Sequence, residues 1–419
     1  MPYKLLLAVP FLIGIAVLQG LTVEIDTFHG SDSGTYQLPT IMQLAERLDF
    51  SDYPSAQTPL FHVVMVGWGE LVGFELWKLR LLEVAISYGM ALALLRLLRR
   101  ATPLGDFPAF ALTLAFVLSP YVFGASFTLL TDNLAILFGL IALERVHAYS
   151  RSGSFAAFAV ACLAIAGAVL TRQSFLWLVP VAAFFLVMPP VRVGRIAAGG
   201  ALLALALVPF AALVVEWNGL VPPSADPASC GLCIDRPGVG RDAFTLRTVG
   251  FTVALLGVYG ALVFGPSLWR RRAARRPAVR ELAVAAAAGI ALILVSPLEY
   301  KPVQGNSPGD AGYLWRVSDL FPTVLGSSLL FWLVVPLGAV AALLLVRRAG
   351  LVALASVYLG AFLLAVLPVN LVYQKYFDPF MLLAVALFAL PADLREREDY
   401  AGIALICVAS VAYALSFAG

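Results

Sequence analysis

Apolar runs of roughly 20 residues recur along the whole chain, and each is long enough to cross the hydrocarbon core of a bilayer as an α-helix. Of the 419 residues, 61% are hydrophobic and only 13% are charged, well below the charged fraction of an ordinary soluble domain. A backbone in lipid must satisfy its own hydrogen bonds, so the sequence predicts an all-α, polytopic transmembrane bundle of about 13 spans. The predicted spans are 4–22, 79–98, 107–125, 130–146, 154–170, 173–190, 195–215, 248–268, 281–297, 323–346, 350–367, 376–391 and 400–418.

The segment 59–76 is also apolar, but it contains Glu70 and Glu75, so we predict an interfacial helix there rather than a span. This choice fixes which loops share a side of the membrane. Loops on one side then hold 18 of the 28 basic residues and seven of the 25 acidic ones, a net charge of +11 against −8 on the other side. The positive-inside rule places the arginine-rich side and the N-terminus in the cytoplasm.

Three polar segments face outward in this orientation. The first outer loop with its interfacial helix covers 23–78, and two further outer loops cover 216–247 and 298–322. Residues 1–419 are expected to form one integral membrane domain. The first apolar run has no small-residue cleavage site before Glu24, so it is expected to remain as a span. Long loops are usually functional or disordered, which directs the search for functional residues to the outer side.

The densest acidic cluster follows the first span, at Glu24-Ile25-Asp26, with His29 close behind. A partly desolvated carboxylate at a membrane surface can act as a general base toward a hydroxyl group. The alternative is an ordinary solvated loop start, on the side where orientation disfavours basic residues. The residue types leave both interpretations open.

Two further outer features are Thr131-Asp132-Asn133 at the start of a span and Thr171-Arg172-Gln173-Ser174 between two spans. Arg172 has almost no polar sequence around it and lies on the side that disfavours basic residues, so an anion is expected to compensate its charge. That anion is either the Asp132 carboxylate or a lipid phosphate, and the sequence leaves both open.

Lys301, Arg316 and Lys375 add positive charge to the outer side, the last of them beside Tyr376. Arginine binds phosphate through a bidentate fork and lysine as a mobile point charge, so these cations could stabilise a phosphate leaving group. Taken singly, Lys375 between Tyr373 and Tyr376 also fits interfacial snorkelling.

Several classes of function find no support in the sequence. It contains no Walker loop, no G-x-G-x-x-G after a strand, no Ser-centred elbow and no H-E-x-x-H. Cys230 and Cys233 have no further cysteine or histidine ligands nearby, which favours a local disulfide over a zinc site. No metal and no nucleic-acid partner is expected.

The Glu24-Ile25-Asp26 segment resembles the Glu-x-Asp form of the acidic motif in the first outer loop of GT-C membrane glycosyltransferases. Within that superfamily, the chain resembles the eukaryotic dolichyl-phosphate-glucose α-1,2-glucosyltransferase family in short pieces that occur in order across most of its length. That family has adjacent acids before its Phe-His, whereas Ile25 separates the two acids here, and its Arg-Gln-Thr is Arg-Gln-Ser here. The pieces are Asp26-Thr27-Phe28-His29, Tyr36, Thr58-Pro59, Leu79-Arg80, Thr131-Asp132, Arg172-Gln173-Ser174, Gly309-Asp310 and Lys375-Tyr376-Phe377.

The resemblance implies a GT-C fold and an inverting hexosyltransferase, with a polyprenyl-phosphate sugar as donor and a glycan or glycolipid as acceptor. It implies a base at Asp26, with Glu24 as the rival, and needs no cofactor. Heavy use of alanine, glycine and arginine suggests a prokaryotic relative, with its active site outside the plasma membrane. The substrate-binding candidates are His29, Asp132, Arg172, Gln173, Asp310, Lys375 and Tyr376.

The alternative function is a transporter or flippase of a lipid-linked saccharide. Transporters place ionisable residues and broken helices near the bilayer midplane, often in repeated halves. The predicted spans are nearly free of internal charge and show no repeat, which favours the transferase.

Overall fold

The structure is a computed structural model, which describes residues 2–17, 33–188, 193–222, 245–270, 279–299, 311–367, 369 and 372–415. Within these residues, nearly all regular structure is helical, in agreement with the predicted all-α class. The chain forms two compact units, which are described separately. The first unit consists of Met1–Ala101, Val122–Gly240 and Phe417–Gly419, and the second of Thr102–Tyr121 and Arg241–Ser416. The expectation of one membrane domain stays a prediction.

The first unit is built from α-helices, a short π-helix and a 3-10 helix. Its helices are α1 (Pro2–Leu6), α2 (Val9–Val17), the π-helix Ser33–Gln37, α3 (Leu38–Glu46), α4 (Leu60–Val72), α5 (Leu76–Ala101), α8 (Asp132–Ser152), α9 (Phe155–Thr171), the 3-10 helix Gln173–Trp177, α10 (Leu178–Val187) and α11 (Val193–Trp217).

The second unit adds one small β-hairpin to its helices. It contains α6 (Asp106–Leu118), α12 (Leu246–Arg270), α13 (Val279–Val295), α14 (Tyr313–Ser318), strands β1 (Thr323–Val324) and β2 (Ser327–Ser328), α15 (Leu329–Ala349), α16 (Leu354–Ala365), the 3-10 helices Gln374–Tyr376, Pro391–Asp393 and Arg397–Tyr400, α17 (Asp378–Phe388) and α18 (Ala401–Leu415). Helix α7 (Pro120–Ala125) joins residues of both units.

Four helices among the described residues are long and apolar enough to cross a membrane: Leu76–Ala101, Val193–Trp217, Leu246–Ser267 and Leu329–Ala349. Shorter apolar helices of 10–17 residues occupy other predicted spans, including 107–125, 154–170, 350–367 and 376–391. The segment predicted to be interfacial forms α4, a 13-residue helix that ends at Val72 and is followed by Gly73 with φ +103°. The structure therefore agrees with an integral membrane protein, while the number of 13 spans stays a prediction.

Two predicted spans are interrupted. The run 107–125 breaks between α6 and α7, because Pro120 favours extended backbone at Ser119, whose ψ is 132°. The run 323–346 begins with the β1–β2 hairpin, so its helix starts only at Leu329. Leu325 and Gly326 both have positive φ, a conformation that a right-handed helix cannot include and a tight hairpin turn requires.

Helices α8 and α9 form an antiparallel hairpin that positions the candidate site. Gly153 closes α8 in the left-handed conformation with φ +65°, and the Ser154 hydroxyl caps α9 by accepting from the Ala157 N–H at 3.4 Å. Because the two helices have similar lengths, the residue that starts α8, Asp132, and the residue that follows α9, Arg172, lie at the same end of the hairpin.

Close backbone contact joins α12 to α15 in the second unit. A Cβ on Gly257 would meet the Val334 carbonyl oxygen, and a Cβ on Gly338 would meet the Val253 carbonyl oxygen. Small residues at such crossings let two apolar helices approach closely, which is the main source of packing energy where water is absent.

An arginine-rich carboxylate site lies at the opposite end of the α8 helix. The buried Glu144 accepts from Arg96 Nε at 3.4 Å and from Arg100 Nη1, and it forms an ion pair with Arg145 Nε at 2.7 Å. These arginines belong to the set that the sequence places in the cytoplasm. The site pairs the end of α5 with α8, and it compensates a buried negative charge with three partly exposed positive ones.

Candidate functional site

The predicted site residues fall into three groups. Asp26, Glu24, His29 and Asp310 lie outside the described residues, as do Cys230, Cys233 and the parts 223–244 and 300–310 of the two further outer loops. Asp132, Arg172 and Gln173 belong to the first unit. Lys375 and Tyr376 belong to the second. The proposed general base therefore stays a prediction from sequence.

Arg172 follows the last turn of α9 and starts the turn into the next helix. Its backbone is extended, with φ −148°, while its N–H still donates to the Ala168 carbonyl at 2.8 Å. The 3-10 helix Gln173–Trp177 begins directly afterward. The break in helical geometry places the arginine at the very end of an apolar helix, where its residue is only 8% exposed.

The structure forms the ion pair that the sequence left open, between Arg172 Nη1 and Asp132 Oδ1. Asp132 occupies the first turn of α8, where the positive end of the helix dipole favours a negative charge. The two side chains are 10% and 26% exposed, so water screens the pair only weakly. A guanidinium held in this way has a fixed plane and keeps the geometry suited to binding an anion.

Gln173 connects the turn that follows α9 to residues 56–58, which precede α4. Its Nε2 donates to the Ala56 carbonyl at 2.7 Å, and Thr58 Oγ1 donates to the Val169 carbonyl at the same distance. Gln173 Oε1 is buried without a hydrogen-bond partner in the described part of the chain. These contacts fix the turn from one side, and they place two of the sequence pieces, Thr58-Pro59 and Arg172-Gln173-Ser174, close together.

Asn133 holds the start of α8 against α5. Its Nδ2 lies within hydrogen-bonding distance of Ser87 Oγ at 2.8 Å, the Val122 carbonyl at 3.1 Å and Ser126 Oγ at 3.2 Å. All of these groups lie in the first unit, and Asn133 itself is fully buried. This network fixes the position of the helix end that carries Asp132.

Glu83 lies on the same face of α5, one turn before Ser87, and is fully buried. Neither of its carboxylate oxygens has a hydrogen-bond partner among the described residues. The sequence interpretation missed this residue when it treated the spans as nearly free of internal charge. The signal was present, since Glu83 is an acid inside the predicted span 79–98 and three residues after Arg80.

A buried histidine lies in α4, the helix that the sequence predicts to be interfacial. His62 Nε2 is 2.7 Å from Gln37 Oε1, which only accepts, so this nitrogen carries the proton. The other nitrogen, Nδ1, then accepts from the Tyr53 hydroxyl at 2.5 Å. Burial lowers the pKa of His62 to about 3, so the ring is neutral near pH 7 and ties α4 to the segments on either side of α3.

In the second unit, Lys375 and Tyr376 belong to a single 3-10 turn. The Lys375 ammonium lies 5.5 Å from the Tyr376 ring centroid, within the range of a cation–π interaction. Tyr373 packs edge-on against Tyr376 with ring centroids 6.0 Å apart. This arrangement is compatible with the snorkelling interpretation as well as with a phosphate-binding role.

Asp378, the first residue of α17, follows the Gln374–Tyr376 turn and is fully buried. It accepts from Ser119 Oγ at 2.8 Å, Tyr313 OH at 2.7 Å, Gln374 Nε2 at 2.9 Å and Tyr259 OH. Burial raises the pKa of Tyr313, and the nearby Asp378 charge raises it further, so the phenol remains a donor. Four donors to one carboxylate make a rigid support for the Gln374–Tyr376 turn.

No group of three or more His, Cys, Asp or Glu side chains within the described residues is placed to hold a metal ion. The chemistry that these residues offer is electrostatic. Arg172 carries a positive charge at the end of an apolar helix, and Asp132 provides a carboxylate beside it.

Comparison with known proteins gives a likeness in structure. No protein-family model matches the chain, and no curated protein matches it. Two crystal structures of ArnT from Cupriavidus metallidurans are similar, one in the apo state and one bound to undecaprenyl phosphate. The apo structure has 16% sequence identity and a TM-score of 0.42, and the bound structure 15% and 0.45. Each alignment covers 90% of this chain and 76% of ArnT.

Proposed function

We propose that this chain is a membrane glycosyltransferase of GT-C type that moves a hexosyl residue from a polyprenyl-phosphate sugar to a hydroxyl of a glycan or glycolipid acceptor. The transfer takes place on the extracytoplasmic face with inversion at the anomeric carbon. The observation that carries the proposal is the buried Arg172, oriented by Asp132 at the outer end of the α8–α9 hairpin. The order of sequence pieces that resemble the dolichyl-phosphate-glucose glucosyltransferase family supports it.

A buried arginine at the end of an apolar helix suits a lipid phosphate better than a soluble ligand. The phosphate of a polyprenyl carrier lies at the membrane surface, where its tail is in lipid and its charge is outside. A guanidinium at that depth meets the phosphate without the tail leaving the membrane. Asp132 keeps the arginine oriented and its charge compensated when no substrate is bound.

The reaction follows from these roles. Asp26, or Glu24 in its place, accepts the proton of the acceptor hydroxyl while that oxygen bonds to the anomeric carbon from the face opposite the phosphate. The bond between the anomeric carbon and the phosphate oxygen breaks, and polyprenyl phosphate leaves with both electrons. Arg172 stabilises the charge that grows on the leaving phosphate.

The first test uses purified full-length protein with radiolabelled undecaprenyl-phosphate glucose, mannose and galactose, and a lipid extract as the source of acceptor. We expect one donor to label a product. Asp26→Asn should abolish labelling while binding of undecaprenyl phosphate is kept, because the base acts on the acceptor and not on the lipid.

Arg172→Gln combined with Asp132→Asn removes both charges of the pair and leaves no buried ion unpaired. We expect this double variant to bind undecaprenyl phosphate about tenfold more weakly or worse, as for a lost charged hydrogen bond. Arg47→Gln is the matched control, because the Arg47 side chain is 82% exposed in the same unit and should not alter binding. Unchanged affinity in the double variant would remove the phosphate role, and transport of labelled lipid without transfer would favour the flippase.

A further inference from the structure

Glu83 differs from the other buried acids that the structure describes. Glu144, Asp378, Asp393 and Asp399 are buried, and each accepts at least two hydrogen bonds from arginine, hydroxyl, amide or backbone donors. Glu83 is 0% exposed, and both of its oxygens lack a hydrogen-bond partner in the described part of the chain. An acid in this state destabilises the empty protein, so a structural role does not explain it.

The position of Glu83 follows from contacts that two residues near it, Ser87 and Asp132, make with other side chains. Ser87, one helical turn later on α5, bonds Asn133 at 2.8 Å, so this face of α5 meets the start of α8. Asp132, the residue before Asn133, pairs with Arg172 and exerts its negative charge on Glu83. Glu83 is therefore about one helical turn, roughly 5–6 Å, from the contact that fixes the Arg172–Asp132 pair.

The surroundings decide which chemistry fits. The negative charge of Asp132 acts at Glu83 and disfavours a second anion there, and no group of three or more His, Cys, Asp or Glu side chains among the described residues is placed to hold a metal ion. An apolar lipid tail would leave the carboxylate oxygens without partners. A neutral ring that carries several hydroxyl donors satisfies them without adding charge.

We propose that Glu83 binds the sugar of the lipid-linked donor by accepting hydrogen bonds from its hydroxyl groups. The inference rests on the proposed function, because it requires the donor phosphate to lie at Arg172. The sugar is bonded directly to that phosphate, so its hydroxyls lie close to the Arg172–Asp132 pair, and Glu83 is near enough to Asp132 for the Asp132 charge to act on it. The partners that Glu83 lacks are then supplied by the substrate.

The first readout is stability, which separates a binding role from a structural one. Glu83→Leu should raise the melting temperature of the purified protein or leave it unchanged, because it removes a buried polar group that has no partner, and the isosteric Glu83→Gln should leave it unchanged. Glu70→Gln is the control, since Glu70 is an exposed glutamate in the same unit. A lower melting temperature in Glu83→Leu and Glu83→Gln would show that Glu83 supports the fold and would overturn the proposal.

The second readout isolates the sugar. Dissociation constants are measured for undecaprenyl phosphate alone and for undecaprenyl phosphate carrying glucose, mannose or galactose. We expect one sugar to tighten binding to the wild-type protein, and expect both Glu83 variants to lose that gain by about tenfold while binding the bare lipid phosphate normally. The Glu70 control should keep the gain.

The outcomes distinguish the two proposals. If the wild-type protein binds neither the bare lipid phosphate nor any lipid-phosphate sugar, the proposed function fails and the Glu83 role fails with it. If lipid phosphate binds and no sugar adds affinity, or if the Glu83 variants keep the sugar's gain, the Glu83 role fails and the phosphate site stands.

Discussion

Glu83 and Glu144 are both buried, lie on the packed helices α5 and α8, and belong to the same unit, yet their surroundings differ. Glu144 is compensated by three arginines, and Glu83 has no hydrogen-bond partner among the described residues. A glutamate with complete partners stabilises the helices around it, whereas one without partners destabilises them until something binds. Burial alone therefore does not distinguish the two acids, whereas their hydrogen-bond and ion-pair partners do.

Replacement of Glu144 should have the largest effect on stability. Glu144→Leu leaves Arg96, Arg100 and Arg145 without their shared carboxylate, and we expect a loss of about 2 kcal/mol in the free energy of unfolding. The value is below that of a fully buried pair because two of the arginines are about half exposed. Thermal melting of the purified protein measures it, with Glu83→Leu as the matched variant. Equal losses of unfolding free energy in Glu144→Leu and Glu83→Leu would contradict the proposed difference between the two acids.

Protonation of His62 tests whether a buried side chain with complete hydrogen bonds destabilises the fold once it becomes charged. The folded pKa of about 3 lies below the ordinary value of 6.5, so the unfolded chain binds the proton first as the pH falls. The free energy of unfolding should then fall by about 1.4 kcal/mol per pH unit below pH 6.5 from this group alone. Melting curves at pH 7.5, 6.5 and 5.5 should show a shallower pH dependence in His62→Gln. Parallel curves for the two proteins would contradict the assignment.

The smallest effect is expected where pairing occurs without burial. Lys78 Nζ lies 2.8 Å from Glu75 Oε1, and the bond to lysine lowers the pKa of the Glu75 carboxyl. Water already solvates this carboxylate, so Glu75→Gln should leave the melting temperature unchanged within error. A shift as large as that of Glu144→Leu would mean that partners matter regardless of burial.

Much of the first unit's architecture follows from the sequence. Apolar runs and the arginine distribution predicted the α8–α9 hairpin, and the unusual position of Arg172 pointed to an anionic partner, which the structure identifies as Asp132. The Thr58-Pro59 and Arg172-Gln173 pieces, more than 100 positions apart, lie close together, because Thr58 donates to the Val169 carbonyl and Gln173 to the Ala56 carbonyl. The all-α class was also correct.

Other features depend on contacts that no local pattern encodes. Ser119 and Asp378 are 259 positions apart, and their hydrogen bond follows from the packing of the second unit. Glu83 was visible as a charge inside a span, but its lack of partners is a property of three-dimensional packing. The start of α15 at Leu329 is set by turn residues with positive φ, and the start of α17 at Asp378 by a buried hydrogen-bond network. Hydropathy predicts neither position.

The Arg172–Asp132 pair also bears on how the chain enters the membrane. In the predicted orientation, the polar turns on either side of the hairpin must pass through the apolar layer during insertion. A lone arginine at the centre of a bilayer is unfavourable by about 2.5–3.5 kcal/mol. Two adjoining helices that carry an aspartate and an arginine at the same end can cross as one neutral unit. The same contact that orients the cation for a substrate would then ease the biogenesis of the protein.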